Sequence, residues 1–430
     1  MNNKLKAGFA KAVITPPVGA YLQGYFHPRC SEGIHDDLYA KAMVLADGNT
    51  EIALVSCDLL GVSGEIVSAA RRLIEKSCGI SQDNVMICAT HIHSGPATAQ
   101  LDYVPEEQVD RVWIEILERK IAGAAQMAKG NMRDARIGVG LGSEDSIIFN
   151  RRYRMRDGMV LTNPGRGNPE IVGPVGPVDP DVRVMKVEDL AGNLMGLFVN
   201  YANHVDVVGG LFISADYPGY MARAINKVYG NEVSVMFTNG AFGDVNHIDV
   251  KNHDQKAGYE EAERMGTILA GDVISVAEKI SCSQDYPIKV RREIVALPMK
   301  QIAVPETAKG LMAEEEIKSK PSVVEAALAR KHQIWSQCEE KIIAAELQAI
   351  TLGNAVLTGI PGELFVELGM KLKQNSVFEH TFVISLANDY IGYIPTAKAF
   401  EEGSYESTFS PLAAGAGEML IERALKLMAD

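Results

Sequence analysis

Between Ile52 and Ala89 the sequence alternates in a way that few folds accept. An apolar run, Ile52-Ala-Leu-Val-Ser-Cys-Asp58, is followed by an amphipathic stretch over 64–77 that ends near Gly79, and then by a second apolar run over 84–90. Short apolar runs bounded by turn residues mark buried strands, and a period of 3.6 marks a helix. Strand, helix and strand in that order form a βαβ unit, which needs parallel strands and a crossover helix packed on the sheet. Further strands are expected at 136–141, 182–188, 194–201 and 233–238, and helices at 106–129 and 218–229. Strands resume at 346–352, 355–360 and 381–387. The pattern predicts an α/β fold with a central mixed β-sheet flanked by helices, in a single domain over residues 1–430.

Two stretches have a different texture. Residues 154–180 are rich in glycine and proline with little periodicity, which predicts a long ordered loop over a pocket. Around 306–345 two helical stretches are split near Pro321, which predicts a helical insert or subdomain, or a subunit contact in a homo-oligomer; charged residues along both also fit solvated helix faces.

Charge narrows the partners. The formal net charge is −13, which opposes binding to nucleic acid or to an anionic membrane surface and favours a small-molecule substrate. No apolar run approaches the roughly 20 residues of a membrane span, and the first residues lack a hydrophobic signal core, so no stable membrane association and a cytoplasmic location are expected. The six cysteines are scattered without a Cys-x-x-Cys pair, and Cys57 and Cys88 lie in strand-like runs, as buried reduced thiols would.

The run over 84–90 delivers His91 and His93 to its end before the chain breaks at Gly95-Pro96. In a strand, residues two apart share a face, so both imidazoles can address one pocket while Ile92 faces away. Imidazole is a common zinc ligand, though a His-x-His pair arises often by chance. Two more strand ends carry polar, potentially ligating groups: Glu363 after Ile360-Pro-Gly, and Tyr393. His204 follows the apolar run Leu197-Phe-Val-Asn-Tyr-Ala. Ligands of open α/β sheets gather outside strand ends, so these segments can converge on one site.

Several segments together resemble the catalytic domain of the neutral/alkaline ceramidases, zinc-dependent amidases that cleave the N-acyl bond of ceramide. In family order they are Gly24-Tyr25, Gly33-Ile-His-Asp-Asp-Leu-Tyr-Ala-Lys-Ala, Thr90-His-Ile-His-Ser-Gly-Pro96, Asn150-Arg151, Asn200-Tyr-Ala-Asn-His204, Asn239-Gly-Ala-Phe-Gly-Asp-Val245, Ile360-Pro-Gly-Glu363, Tyr393 and Tyr405-Glu-Ser-Thr408. The resemblance implies that His91, His204, Glu363 and Tyr393 hold Zn²⁺, with Tyr390 a competitor for the last role. It implies that His93, Arg151 and Tyr405 face the substrate as catalytic groups and that Gly24 lends backbone near the scissile bond. Two neutral imidazoles and a carboxylate suit zinc as a Lewis acid that lowers the pKa of a bound water towards about 7. Tyr405 and Arg151 can stabilise an oxyanion, and His93 or a carboxylate can manage the proton of the leaving group.

The departures are equally specific. The family carries Gly-Asp-Val-Ser-Pro-Asn where this chain has Gly243-Asp-Val-Asn-His-Ile248, so Asn246 takes the substrate-side place of a serine. Neither a secretion signal nor a C-terminal immunoglobulin-like domain is expected. The sequence therefore predicts a zinc-dependent hydrolase cleaving an amide or ester bond of a small soluble substrate by metal-activated water. A zinc lactonase or carbohydrate esterase on the same site is the second reading, and an inactive metal-holding, ligand-binding relative is the reading from another class.

Overall fold

Alternation decides which face of each strand is buried against what. The computed structural model describes residues 5–98, 109–301 and 323–429. Its main sheet contains β1 (Lys6–Val13), β2 (Tyr39–Ala46), β3 (Glu51–Cys57), β4 (Val85–Ala89), β5 (Arg133–Ser143), β6 (Asp181–Asp189), β7 (Leu194–Tyr201) and β8 (Ser234–Asn239), in the order β8-β7-β6-β5-β1-β2-β3-β4. Only β3–β4 and β7–β8 pair in parallel; the other neighbours are antiparallel. The two halves of the sheet meet where Lys6 and Ala7 pair with Asp134 and Arg133.

In β2, Ala40, Ala42 and Val44 face one apolar cluster while Met43 and Leu45 face another. The first cluster joins the sheet to four helices: α1 (Gly64–Cys78), α2 (Arg111–Gly130), α3 (Asp216–Tyr229) and α4 (Tyr259–Ala277). Helix α1 is the crossover of the expected βαβ unit. Ser63 caps its first turn, and Gly79 closes it in the left-handed conformation that glycine adopts at no steric cost.

The second cluster reaches a further sheet. Strands β9 (Ile288–Pro298), β10 (Ile342–Leu352), β11 (Ala355–Ile360) and β12 (His380–Ser385) pair in that order, with β11 and β12 parallel. Leu357, Phe382 and Ile384 from this sheet pack with Met43, Leu54, Phe198 and Met236 from the main one. Its other face is covered by α6 (Val366–Asn375) and α8 (Ala416–Ala429). Helix α5 (Val323–Ser336) lies between β9 and β10 in sequence, and α7 (Tyr405–Phe409) precedes α8.

The expected central mixed sheet with flanking helices is present, backed by a second sheet that the pattern did not announce. The stretch 154–180 corrects the loop expectation: Val160–Thr162 and Ile171–Pro174 pair with Arg152–Met155 in a small three-stranded sheet, in pieces too short to display a period of two. Of the helical insert, the stretch 323–335 is helix α5, whereas 302–322 lies outside the described residues. No described helix is long and apolar enough to cross a membrane.

Candidate metal centre and active site

Strand β4 stops at Ala89, and His91 then adopts a left-handed backbone with φ +72°. Thr90 and His91 hold this turn by donating their N–H groups to Cys57 O at 2.9 Å and Leu59 O at 2.8 Å. Such a conformation costs about 1–3 kcal/mol for a side chain of this size, a strain kept only where the surroundings over-determine it. The expectation that the strand pleat aims the two imidazoles is thereby corrected: the turn beyond the strand does so. Ile92 faces away, bridging to Val205 beside His204.

Four polar atoms converge here. Nε2 of His91 lies 3.3 Å from Nε2 of His204 and 3.3 Å from Nε2 of His93. Oε2 of Glu363 lies 3.5 Å from His91 Nε2 and 3.6 Å from His204 Nε2, and it has no hydrogen-bond partner among the described residues. The far sides of two rings fix their tautomers. His91 Nδ1 is 2.9 Å from Leu60 O, and His204 Nδ1 is 3.1 Å from Val245 O. A carbonyl only accepts, so each Nδ1 bears the proton and each Nε2 turns a lone pair inward.

Burial keeps these rings uncharged. It pushes His91 down to about 4 and His93 down to about 3, the charge of Arg151 adding to the first and the neighbouring His91 to the second. His204 is driven well below its ordinary value by burial and then by Arg151. Burial raises the Glu363 carboxyl, against the opposing charge of Arg151 and the hydrogen bond from Tyr390.

Lone pairs this close repel one another unless something positive stands among them. One shared proton relieves a single contact, and Arg151 Nη1, 3.2 Å from His204 Nε2, relieves another. A cation would relieve all of them. Donors about 2.0–2.2 Å from a tetrahedral zinc stand roughly 3.3–3.6 Å from each other, which is the spacing observed among the contacts above. His91, His93 and His204 together form a group able to hold a metal ion.

Backbone pairing supplies the carboxylate and the tyrosines. Glu363 and Tyr393 sit opposite each other in a short parallel pair after β11 and β12. Tyr390 donates its hydroxyl to Glu363 Oε1 at 2.7 Å, while Tyr393 OH accepts from Arg151 Nη2 at 3.1 Å. Arg151 is buried, with Nη2 also on Gly243 O at 2.9 Å and Nε on Glu406 Oε1 at 2.7 Å. Glu406 is fully buried and also takes the Thr162 hydroxyl at 2.8 Å. The sequence reading passed over Glu406, although an acid directly after Tyr405 and two arginines at 151 and 152 were the signal.

The cluster opens into a pocket of 440 Å³ whose floor includes His91, His93 and Glu363 and whose walls include Phe26, Trp335 and Tyr405. Gly24 lines it at φ +117°, and a Cβ there would fall 2.7 Å from the His93 ring, so only glycine lets that ring lie where it does. The Tyr405 ring meets Tyr393 edge-on with centroids 5.6 Å apart. Arg151 and His204 are not among the described residues that line it. Asn246 is also buried outside the described lining: its amide donates to Asn163 Oδ1 at 2.9 Å and accepts from Ile248 N at 3.0 Å. A separate cavity of 550 Å³ around Lys41 and Asp58 is larger but holds no comparable donor set, since Asp58 accepts from Tyr39 N and Asp36 from Ser214 and Ala215.

Residues 5–252 match the family model for neutral/alkaline non-lysosomal ceramidase, N-terminal. The chain is similar to the solved neutral ceramidase from Pseudomonas aeruginosa, with a TM-score of 0.77 at 17% identity over 100% of this chain and 74% of that one. It is also similar to a ceramidase complexed with C2, with a TM-score of 0.75 at 17% identity over 99% of this chain and 75% of that one. At this identity the likeness to the two structures establishes a shared fold and no more.

Proposed function

We propose that this chain, which belongs to the neutral/alkaline non-lysosomal ceramidase family, is a zinc-dependent hydrolase that cleaves an amide or ester bond of a small soluble substrate with water. Family membership carries the hydrolase class. Metal dependence rests on one observation: three imidazole nitrogens and an unpartnered carboxylate oxygen meet in a buried cluster.

His91, His204, Glu363 and Tyr393 would hold the ion, with His93 at the same cluster. When bound, zinc would polarise a substrate carbonyl and make water a stronger acid near neutral pH. The protein's own groups do the rest. Backbone carbonyls of Leu60 and Val245 orient the two ligand imidazoles, and Tyr390 fixes Glu363. Tyr405, whose hydroxyl burial raises above its ordinary value, stays protonated at neutral pH and can donate to the oxyanion of the transition state. His93, kept neutral by burial, can accept a hydrogen bond from the attacking water or the leaving group.

Relatives named for ceramide imply a small lipid-like substrate, and we propose a shorter one here. The 440 Å³ pocket lies low in the roughly 300–1,000 Å³ range of small-molecule sites, and the Asn246 amide is already committed inside the fold. The net charge of −13 speaks against nucleic acid as a partner. A cytoplasmic location is proposed on the six free thiols.

Purified protein is expected to hold about one zinc per chain, and His91→Ala or His204→Ala to lose most of it. A chelator should abolish hydrolysis of short N-acyl compounds, esters or lactones, with ceramide in detergent micelles left intact. Full zinc occupancy in both variants would refute the metal assignment. Robust ceramide cleavage would refute the short-substrate reading.

A further inference from the structure

Helix α5 offers the pocket one face. Ala327 and Leu328 pack with Tyr393, Tyr405, Phe409 and Phe26, and one and two turns further on Lys331 and Trp335 line the pocket itself. Residues three and four apart share a helix face, so this stripe lies along the site and the rest of the helix faces outward. Trp335 is half-buried, and part of its ring is open to the pocket.

Its position is held from outside the helix. Lys300, two residues past the end of β9, places its ammonium 4.9 Å from the centre of the Trp335 ring. The same ammonium donates to Thr408 O at 2.6 Å and Ser407 O at 3.3 Å, the carbonyls near the end of α7, whose first residue is Tyr405. The backbone N–H of Lys300 donates to Pro411 O at 3.0 Å. One lysine therefore ties the indole to the element that carries the hydroxyl facing the substrate.

We propose that Trp335, held by Lys300, is the specificity-determining wall of this site, selecting carbonyl compounds whose apolar group is short or flat, an aryl or short acyl group, over those with long alkyl chains. For its substrate class the inference rests on the hydrolase reading above. Four rings line the pocket, Phe26, Tyr405, Phe409 and Trp335, beside the branched side chains of Leu60, Ile343 and Ile391. Rings accept another flat group edge-on or offset and gain beyond simple burial. A long chain has to displace the indole, and Lys300 resists that by its contact with the ring and by its two carbonyl anchors. Trp335 touches only the apolar part of the substrate, so it should act on KM more than on kcat.

The test compares p-nitrophenyl esters from acetate to decanoate in wild type, Trp335→Ala and Lys300→Met. Metal content and far-UV circular dichroism establish that the variants are folded and loaded. In Trp335→Ala the ratio of kcat/KM for octanoate over acetate should rise at least tenfold, mostly through KM. In Lys300→Met, with the ring present but untethered, it should rise less. A ratio within twofold of wild type in a folded, loaded Trp335→Ala protein overturns the proposal. If none of the proteins hydrolyses any of these esters or the matching p-nitroanilides, the hydrolase reading falls, and calorimetric binding of benzamide and octanamide judges the wall by itself. A preference for benzamide that falls at least tenfold in Trp335→Ala upholds it; an unchanged preference overturns it.

Discussion

Glu406 should prove indispensable although it touches neither the pocket nor the histidines. Its carboxylate faces Arg151 Nε at 2.7 Å, with side-chain exposures of 0% and 5%, and Arg152 Nε at 3.5 Å. Glu406→Gln keeps the shape and leaves one carbonyl oxygen for Arg151, but it removes the charge. Arg152 retains Glu402 at 3.4 Å, whereas Arg151 is left with neutral hydrogen-bond partners and only the attraction of Glu363. Breaking a buried ion pair costs about 3–5 kcal/mol, and the surviving neutral hydrogen bond returns about 1 kcal/mol, so a loss of about 2–4 kcal/mol is expected. Both groups are shielded from solvent, so salt should change this little. Urea denaturation followed by circular dichroism, with metal saturating, measures it. Combining the change with Arg151→Met removes the stranded cation, so the double variant should be at least about 1 kcal/mol more stable than the sum of the single effects implies. A Glu406→Gln protein within about 0.5 kcal/mol of wild type, or strict additivity, would refute the claim that this pair holds Arg151 against Tyr393 and His204.

Gly24→Ala introduces a methyl group 2.7 Å from the His93 ring at φ +117°; hydrolysis should fall by about tenfold or more while unfolding free energy changes by only about 1 kcal/mol, and wild-type turnover would show that the ring has room to move. Metal-stripped protein should lose stability on acidification. Folded His91 and His93 titrate near about 4 and about 3, below the ordinary value of about 6.5, so below that value the unfolded chain takes up protons the folded one refuses. The contribution is complete above about pH 6.5 and is lost as pH falls towards 4, at up to about 1.4 kcal/mol per pH unit for each ring. Glu363, raised by burial, offsets part of this. Urea midpoints of the stripped protein that stay flat from pH 7 to 5 would contradict it.

Where the sequence was legible, the reason is periodicity. Strands β3, β4, β7 and β11 and helices α1 and α3 fall within a residue or two of their expected limits, because unbroken apolar runs and a capped amphipathic stretch carry their own signal. β9 was missed, since a charged Val290-Arg-Arg-Glu run separates its buried Ile288 from its buried Val295 and Leu297. The small sheet behind Arg151 was missed because three or four residues show no period. In the site, the His-x-His pair, His204 and Glu363 do meet, and Tyr393 reaches them by way of Arg151 and its backbone pairing with Glu363. What composition and spacing could not show was the left-handed turn at His91, a backbone choice that no residue type announces. Nor could they show the partners reached across long stretches of chain: Glu406 under Arg151, Tyr390 on Glu363, Lys300 against Trp335.

The proposed ligands are residues 91, 204, 363 and 393, and the last two are placed by a parallel pairing that exists only after β11 and β12 are in register. A chain still emerging from the ribosome, with residues 5–252 already made, owns the imidazoles but neither Glu363 nor Tyr393. It can scavenge metal only loosely. If the site takes a metal, tight uptake would wait for the closing third of the protein, so the ion would serve as a seal applied at the end of synthesis, and metal release would be an early sign that the second sheet has come away from the first.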